Sequence, residues 1–308
     1  MRMVNCSIQK VLYMMKQIIV DCLGPEMKTT PEVVHRTVIV YDQYTLEHLL
    51  LRLNQEELVP AYFAYPHGLK PVPIVLFNHS HGGDFTAGKT ELISGADYLQ
   101  SPSFLETLIA DGYAVGCIDM WGFGERSQGE SQLFKRFLLQ GKTLWGQRVY
   151  DNQQFLTYLL SRQEINKEAV ATIGMSMGGL MSWWLAASDP RITAVVDIAA
   201  QVDYQALIEE DCLDKHGCYY YLPAFLTKWR TADIQQLIAP RPRLSLVGIA
   251  DKGCPASGVK KLDHSLKEIY IQMGQPAHWQ SLQLSGGHEE TKEMRGLWRS
   301  FLKQQLGH

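Results

Sequence analysis

Two periodicities alternate along this chain. From residue 73 onward, short apolar runs alternate with longer stretches whose apolar residues recur every three to four positions. Residues 73–78 (PIVLFN), 113–119 (YAVGCID), 169–173, 192–198, 244–249 and 279–284 read as strands. Residues 102–111, 131–162 (with breaks), 177–187, 257–273 and 289–306 read as helices. The alternation predicts an α/β fold: a mostly parallel central sheet with helices on both faces. Upstream, residues 33–41, 47–53 and 59–65 form three extended segments in succession. Residues 204–237 break the rhythm, being longer than a crossover needs, and are expected to form a short lid-like insertion.

Val4, Ile8, Val11, Leu12, Met15, Ile18, Ile19 and Cys22 fall at helical spacing, and Gly24–Pro25 supplies a stop. The expectation is an N-terminal amphipathic helix over 1–24 packed on the body of the protein. Lys10, Lys16 and Asp21 interrupt it, so no apolar run approaches the roughly 20 residues of a membrane span. No cleavage site follows a continuous apolar core, which argues against a secretory leader. With no linker or repeat in view, residues 1–308 are expected to form a single domain. The hydrophobic fraction is 46% and the charged fraction 20%, values typical of a globular protein. A net charge of −3 makes no electrostatic case for nucleic acid or anionic lipid. Without a secretory leader a cytoplasmic location is expected, and the six cysteines, which form no C-x-x-C pair, are expected to be reduced there. Cys212 and Cys218 are the pair closest in sequence.

One motif carries chemistry. Gly174-Met175-Ser176-Met177-Gly178 is a G-x-S-x-G, which would arise by chance in about one chain in ten of this length. Its setting is far less common, because an apolar strand pattern enters it and a helical pattern leaves it. A strand-to-helix elbow strains the serine backbone, so small residues must flank it. It also puts the hydroxyl at a helix N-terminus, where developing negative charge is favoured. The competing reading is a glycine-rich helix start with Ser176 as its cap.

An elbow on such a sheet predicts the α/β-hydrolase fold, with the chain order serine, acid, histidine. His216, His264, His278, His288 and His308 follow Ser176. Only His288 follows the last strand in a loop with glycines (SGGHEE), which makes it the expected base. Asp251, directly after the 244–249 strand, is the expected acid, with Asp203 and Asp197 in reserve. Met177 should supply one oxyanion-hole N–H and Gly83 the other, with Gly82 as its neighbouring alternative. Both glycines lie in the loop 78–84 (NHSHGGD). His79 and His81 lack carboxylate or cysteine partners at ligand spacing, so no metal is expected.

With these residues placed, the sequence resembles the dienelactone hydrolase and acetyl xylan esterase-like branch of the α/β-hydrolases from residue 73 to the C-terminus. The resemblance rests on His81-Gly82-Gly83 with Gly88-Lys89-Thr90-Glu91, on the run 119–126 (DMWGFGER), on 161–166 (SRQEIN) and on Ala239-Pro240-Arg241-Pro242. It implies an esterase without a metal or cofactor. Dienelactone hydrolases use a cysteine in the elbow, and Ser176 stands there instead. The function expected is hydrolysis of a small or medium carboxylic ester through an acyl-enzyme, with a small-molecule ester as partner and self-association left open. A serine peptidase and a thioesterase are the rivals on the same fold, and a non-catalytic binding protein the rival outside it. Trp121, Tyr220 and Tyr221 are expected to wall the substrate pocket.

Overall fold

The computed structural model describes residues 20–25, 29–68 and 70–307. The helix expected over 1–24 therefore lies mostly outside the described residues. Residues 20–23 are helical, and Cys22 and Leu23 are buried in the core. Nine strands form one sheet: β1 (Glu32–Val40), β2 (Tyr44–Arg52), β3 (Val59–Pro66), β4 (Val72–Asn78), β5 (Ala114–Ile118), β6 (Ile165–Met175), β7 (Ala194–Ile198), β8 (Arg243–Gly248) and β9 (Trp279–Leu284). Their order is β1-β2-β3-β5-β4-β6-β7-β8-β9. The pairs β1–β2, β2–β3 and β3–β5 are antiparallel, and every other pair is parallel.

The main helices are α1 (Phe104–Ala110), α2 (Glu130–Leu139), α3 (Leu144–Leu159), α4 (Met177–Ser188), α5 (Tyr204–Glu209), α6 (Ala256–Gln272) and α7 (Lys292–Leu306). Buried side chains of α1 and α7 pack on one face of the sheet, while those of α3 and α4 pack on the other. The central strands β5 and β7 are buried along their whole length, as continuous apolar runs require. From β4 the chain steps outward to β5 on one side and returns to β6 on the other. This reversal opens a crevice at the carboxyl ends of β4 and β6, where ligands of such sheets bind.

The helical pattern over 131–162 resolves into α2 and α3, parted at Gly141 with φ 68°. The insertion 204–237 holds α5 and then only short turns. Its anchor is polar. Arg243 on β8 donates to Asp197 (2.8 Å), to Gln235 (3.0 Å) and to Gln201 (3.0 Å), all fully buried. Arg241 donates to the carbonyls of Ala186 (2.6 Å), Asp189 (3.0 Å) and Ile192 (2.8 Å), capping the end of α4.

A second buried cluster ties together the loops after β4 and β5. Asp119 accepts from Lys89 N (2.7 Å), Lys89 Nζ (2.8 Å) and Glu125 N (3.1 Å). A Cβ at Gly88 or at Gly124 would lie 2.2 Å from an Asp119 oxygen, which explains the glycines of both loop motifs. Lys89 is 4% exposed and its Nζ is shared with Glu125 (2.6 Å), so removing Asp119 leaves a buried ammonium with one carboxylate and takes the acceptor from two backbone N–H groups. Asp119→Ala should therefore lower the free energy of unfolding by about 3–5 kcal/mol, measured in urea. A loss under 1 kcal/mol would show that the pair contributes little.

Candidate active site

The site is built on the elbow between β6 and α4. Ser176 has φ 55° and ψ −122°, a conformation that costs an L-residue roughly 1–3 kcal/mol. Its N–H donates to Ile198 O on β7 at 2.9 Å, and its carbonyl accepts from Leu180 N at 2.9 Å. The flanking glycines are required for space. A Cβ at Gly174 would sit 2.5 Å from Asn78 O, and one at Gly178 only 1.9 Å from it. Asn78 in turn donates to Thr172 (2.8 Å) and Ser182 (2.9 Å), joining β4, β6 and α4.

The structure brings Ser176, His288 and Asp251 together. Ser176 Oγ lies 2.8 Å from His288 Nε2, and His288 Nδ1 lies 2.9 Å from Asp251 Oδ2. The carboxylate accepts, so Nδ1 carries the proton and Nε2 is free to accept from the serine hydroxyl. Asp251 has a fully buried side chain, while that of His288 is 43% exposed. The acid turn and the histidine loop are stitched by Ile249 N to Leu284 O (2.8 Å) and Ala250 N to Gly286 O (2.9 Å). Gly248 allows this approach, since its Cβ would lie 2.2 Å from Gly287 O. The reserve acids are engaged elsewhere: Asp197 by Arg243 and Ser245, and Asp203 as the cap of α5.

Met177 heads α4, and its sulfur lies 3.3 Å from Arg148 Nη1. Arg148 is fully buried and also donates to Trp121 O (2.7 Å) and Glu130 (2.9 Å). Gly83, the expected second donor, has its N–H 3.3 Å from His81 Nδ1 of its own loop, where Gly82 and Gly83 both have positive φ.

The expected aromatic wall is corrected. Trp121 is 1% exposed and Tyr220 fully buried, so neither offers a surface to a substrate. Tyr220 stacks on Tyr204 at 4.6 Å and meets the edge of Trp145 at 5.7 Å, while Arg126 covers Trp121 at 4.4 Å. Tyr221 is half-buried and its hydroxyl donates to Leu213 O. Trp121 and Tyr220 belong to the main hydrophobic core on the α3–α4 face of the sheet, and Tyr221 packs against it. The aromatic group against the 78–84 loop is instead Phe85, Phe123 and Tyr219, which surround His81 at 4.8, 5.2 and 5.6 Å.

His79 was visible in the sequence only as half of a metal pair. The structure gives it a brace's role: Nδ1 donates to Ser80 O (2.9 Å) and Nε2 accepts from Met120 N (3.1 Å). Among the described residues, no group of three or more His, Cys, Asp or Glu side chains is arranged to hold a metal. Glu290, two residues after His288, accepts from Arg295 Nε (2.6 Å), Trp298 Nε1 (2.6 Å) and Gln100 N (2.9 Å) and so fixes the histidine loop. No sequence spacing signals that role, because its partners lie on α7 and near residue 100.

The sheet, the elbow and this hydrogen-bonded trio define the α/β-hydrolase fold class. Within it the chain belongs to the X-Pro dipeptidyl-peptidase (S15) family, whose model matches residues 57–290. It is 46% identical over 267 residues to YtaP of Bacillus subtilis (strain 168), a protein provisionally named a hydrolase; the match covers 86% of this chain and 89% of that one. Its fold is similar to that of a Bacteroides fragilis protein provisionally named an acetyl xylan esterase, with TM-score 0.68 at 19% identity over 90% of this chain and 74% of that one. It is also similar to a glucuronoyl esterase from Solibacter usitatus, with TM-score 0.71 at 13% identity over 96% and 92%.

Burial pushes the His79 pKa down to about 4 from its ordinary 6.5. The unfolded chain therefore binds the extra proton first as pH falls. The stability of the neutral ring is full above about 6.5 and is lost progressively toward 4, by roughly 2–3 kcal/mol. His79→Asn should be less stable at pH 7 and show a flatter loss between these pH values in urea titrations. Parallel curves for the two proteins would contradict this reading.

Proposed function

We propose that this protein is a serine hydrolase that cleaves small or medium carboxylic esters through an acyl-enzyme. The observation that carries the reading is the unbroken line Ser176 Oγ–His288–Asp251 with Ser176 on a strained elbow. Ser176 Oγ attacks the ester carbonyl while His288 Nε2 takes the hydroxyl proton. Asp251 orients the ring and stabilises the imidazolium. The tetrahedral oxyanion is held by the Met177 N–H and by an amide of the 78–84 loop. Its collapse breaks the C–O bond, and His288 returns the proton to the leaving alcohol. Water, activated by the same histidine, then releases the acid and restores Ser176.

Cleavage of X-Pro peptides is the second reading, because the family is described by that activity. Such a peptidase must also hold its substrate's free amine, which calls for an available carboxylate near the nucleophile. The inner acidic side chains about this site are committed, Glu130 to Arg148, Glu91 to Ser80 and Tyr98, and Glu290 to Arg295, while the exposed Asp84 and Glu289 accept from Thr86 and Gly287 of their own loops. That commitment, with the esterase names of its fold relatives, supports the ester reading. The chain order of the motifs 81–91 and 119–126 supports a place near the dienelactone hydrolase branch. A cytoplasmic location is supported by five described cysteines that are all free, Cys212 and Cys218 among them. No helix among the described residues is long and apolar enough to cross a membrane.

Ser176→Ala should lower kcat/KM for p-nitrophenyl acetate by at least about 10³-fold, and Asp251→Asn should cost less than His288→Ala. Combining Ser176→Ala with His288→Ala should add little to the worse single variant, because the groups act as one unit. Multiplying losses would remove His288 from the mechanism. Faster turnover of Ala-Pro p-nitroanilide than of the ester would establish the peptidase reading instead.

A further inference from the structure

The side chain of His216 joins the insertion to the acid turn. His216, in the turn between α5 and Tyr219, donates from Nε2 to Gly253 O at 2.8 Å. A carbonyl only accepts, so the proton must sit on Nε2. Burial lowers the His216 pKa, which keeps the ring neutral and its single N–H committed to this bond. The N–H of the same glycine donates to Asp251 Oδ1 at 2.8 Å. The other carboxylate oxygen holds His288, and His288 holds Ser176. Four hydrogen bonds of 2.8–2.9 Å thus run from the insertion to the nucleophile.

Gly253 makes the first link informative. A Cβ there would lie 3.2 Å from Asp251 Oδ1 and 3.7 Å from His288 Nδ1, so a larger residue would press on the catalytic carboxylate. Glycine is also the residue with the most backbone freedom to lose, and without an external hold its peptide units would rotate most easily. Its N–H is useful to Asp251 only in one orientation. A donor on its carbonyl, from a separate element of the fold, fixes the peptide that follows. Hydrogen bonds on both sides of one Cα leave that residue a single conformation.

We propose that His216 is a positioning residue for the catalytic acid: by pinning Gly253 O it holds the Gly253 N–H on Asp251 and so sets the orientation of His288. This rests on the serine-hydrolase reading. It also makes the insertion a part of the triad's support, so that a displacement of 213–221 is felt at Ser176.

The test compares three full-length proteins: wild type, His216→Gln and His216→Phe. Glutamine carries its Nε2 donor at a similar reach, whereas phenylalanine keeps the ring's bulk and loses the donor. His216→Phe should lower kcat for p-nitrophenyl acetate about 10- to 100-fold with KM within about twofold, as expected when a catalytic group is misplaced rather than removed. Fluorophosphonate labelling of Ser176 should slow by the same factor. His216→Gln should recover to within about threefold of wild type. The downfield imidazole N–H resonance of His288, which reports the bond to Asp251, should persist in the Gln protein and shift or broaden in the Phe protein. A Phe variant with wild-type kcat and an unchanged resonance would overturn the proposal. So would a Gln variant as slow as Phe, or a loss confined to KM. If wild type neither labels at Ser176 nor turns over ester, the serine-hydrolase reading fails, while the resonance still decides whether His216 positions Asp251.

Discussion

The structure around the site depends on one close approach, that of β4 to the β6–α4 elbow. Where Asn78 O comes within 1.9 Å of the position a Gly178 Cβ would take, no side chain fits. That proximity forces β6 to turn at once into α4, and it leaves Ser176 at φ 55°. A strained serine persists only where its surroundings over-determine it. Here they do: Ser176 N is held by Ile198 O, its carbonyl by Leu180 N, and the neighbouring strands by Asn78. The hydroxyl is consequently delivered to the crevice by the backbone, with no side chain required to aim it.

Each loop that meets Ser176 is fixed by a buried charged group a few residues from its functional residue. Asp119 binds the loops after β4 and β5, Glu290 binds the histidine loop to α7, and Arg243 binds the insertion to β7 and β8. Burying such groups contributes little net stability, because desolvation offsets most of the attraction. What they provide is a single geometry, since a shifted loop would leave a buried charge without partners. Asp251 follows the same rule, with one oxygen on Gly253 N–H and the other on His288. Only His288 is left substantially exposed, as a base that exchanges protons with substrate and water must be.

These braces also mark the limit of what the sequence discloses. The central strands and the elbow are legible because burial writes a local pattern into the chain, as in β5 and β7, whereas β1 is exposed at every position. Ser176, Asp251 and His288 are legible because each follows a strand at its carboxyl end. Tyr220 and Trp121 mislead for a physical reason: an aromatic in a long loop can extend the main core or line a pocket, and the composition is the same. The bracing roles of His79, Glu290 and His216 are invisible because no spacing in the sequence pairs them with Met120 N, Gln100 N and Gly253 O.

The central claim is that Ser176 becomes covalently acylated during turnover. Mixing the protein with p-nitrophenyl acetate, quenching within the first turnovers and mapping the modified peptide by mass spectrometry tests it directly. The account predicts a burst of nitrophenolate approaching one equivalent per chain, with an acetyl group on Ser176 that decays as turnover proceeds. Steady turnover with no burst and no acetylated Ser176, or an acetyl group on another residue at the same kinetics, would contradict it.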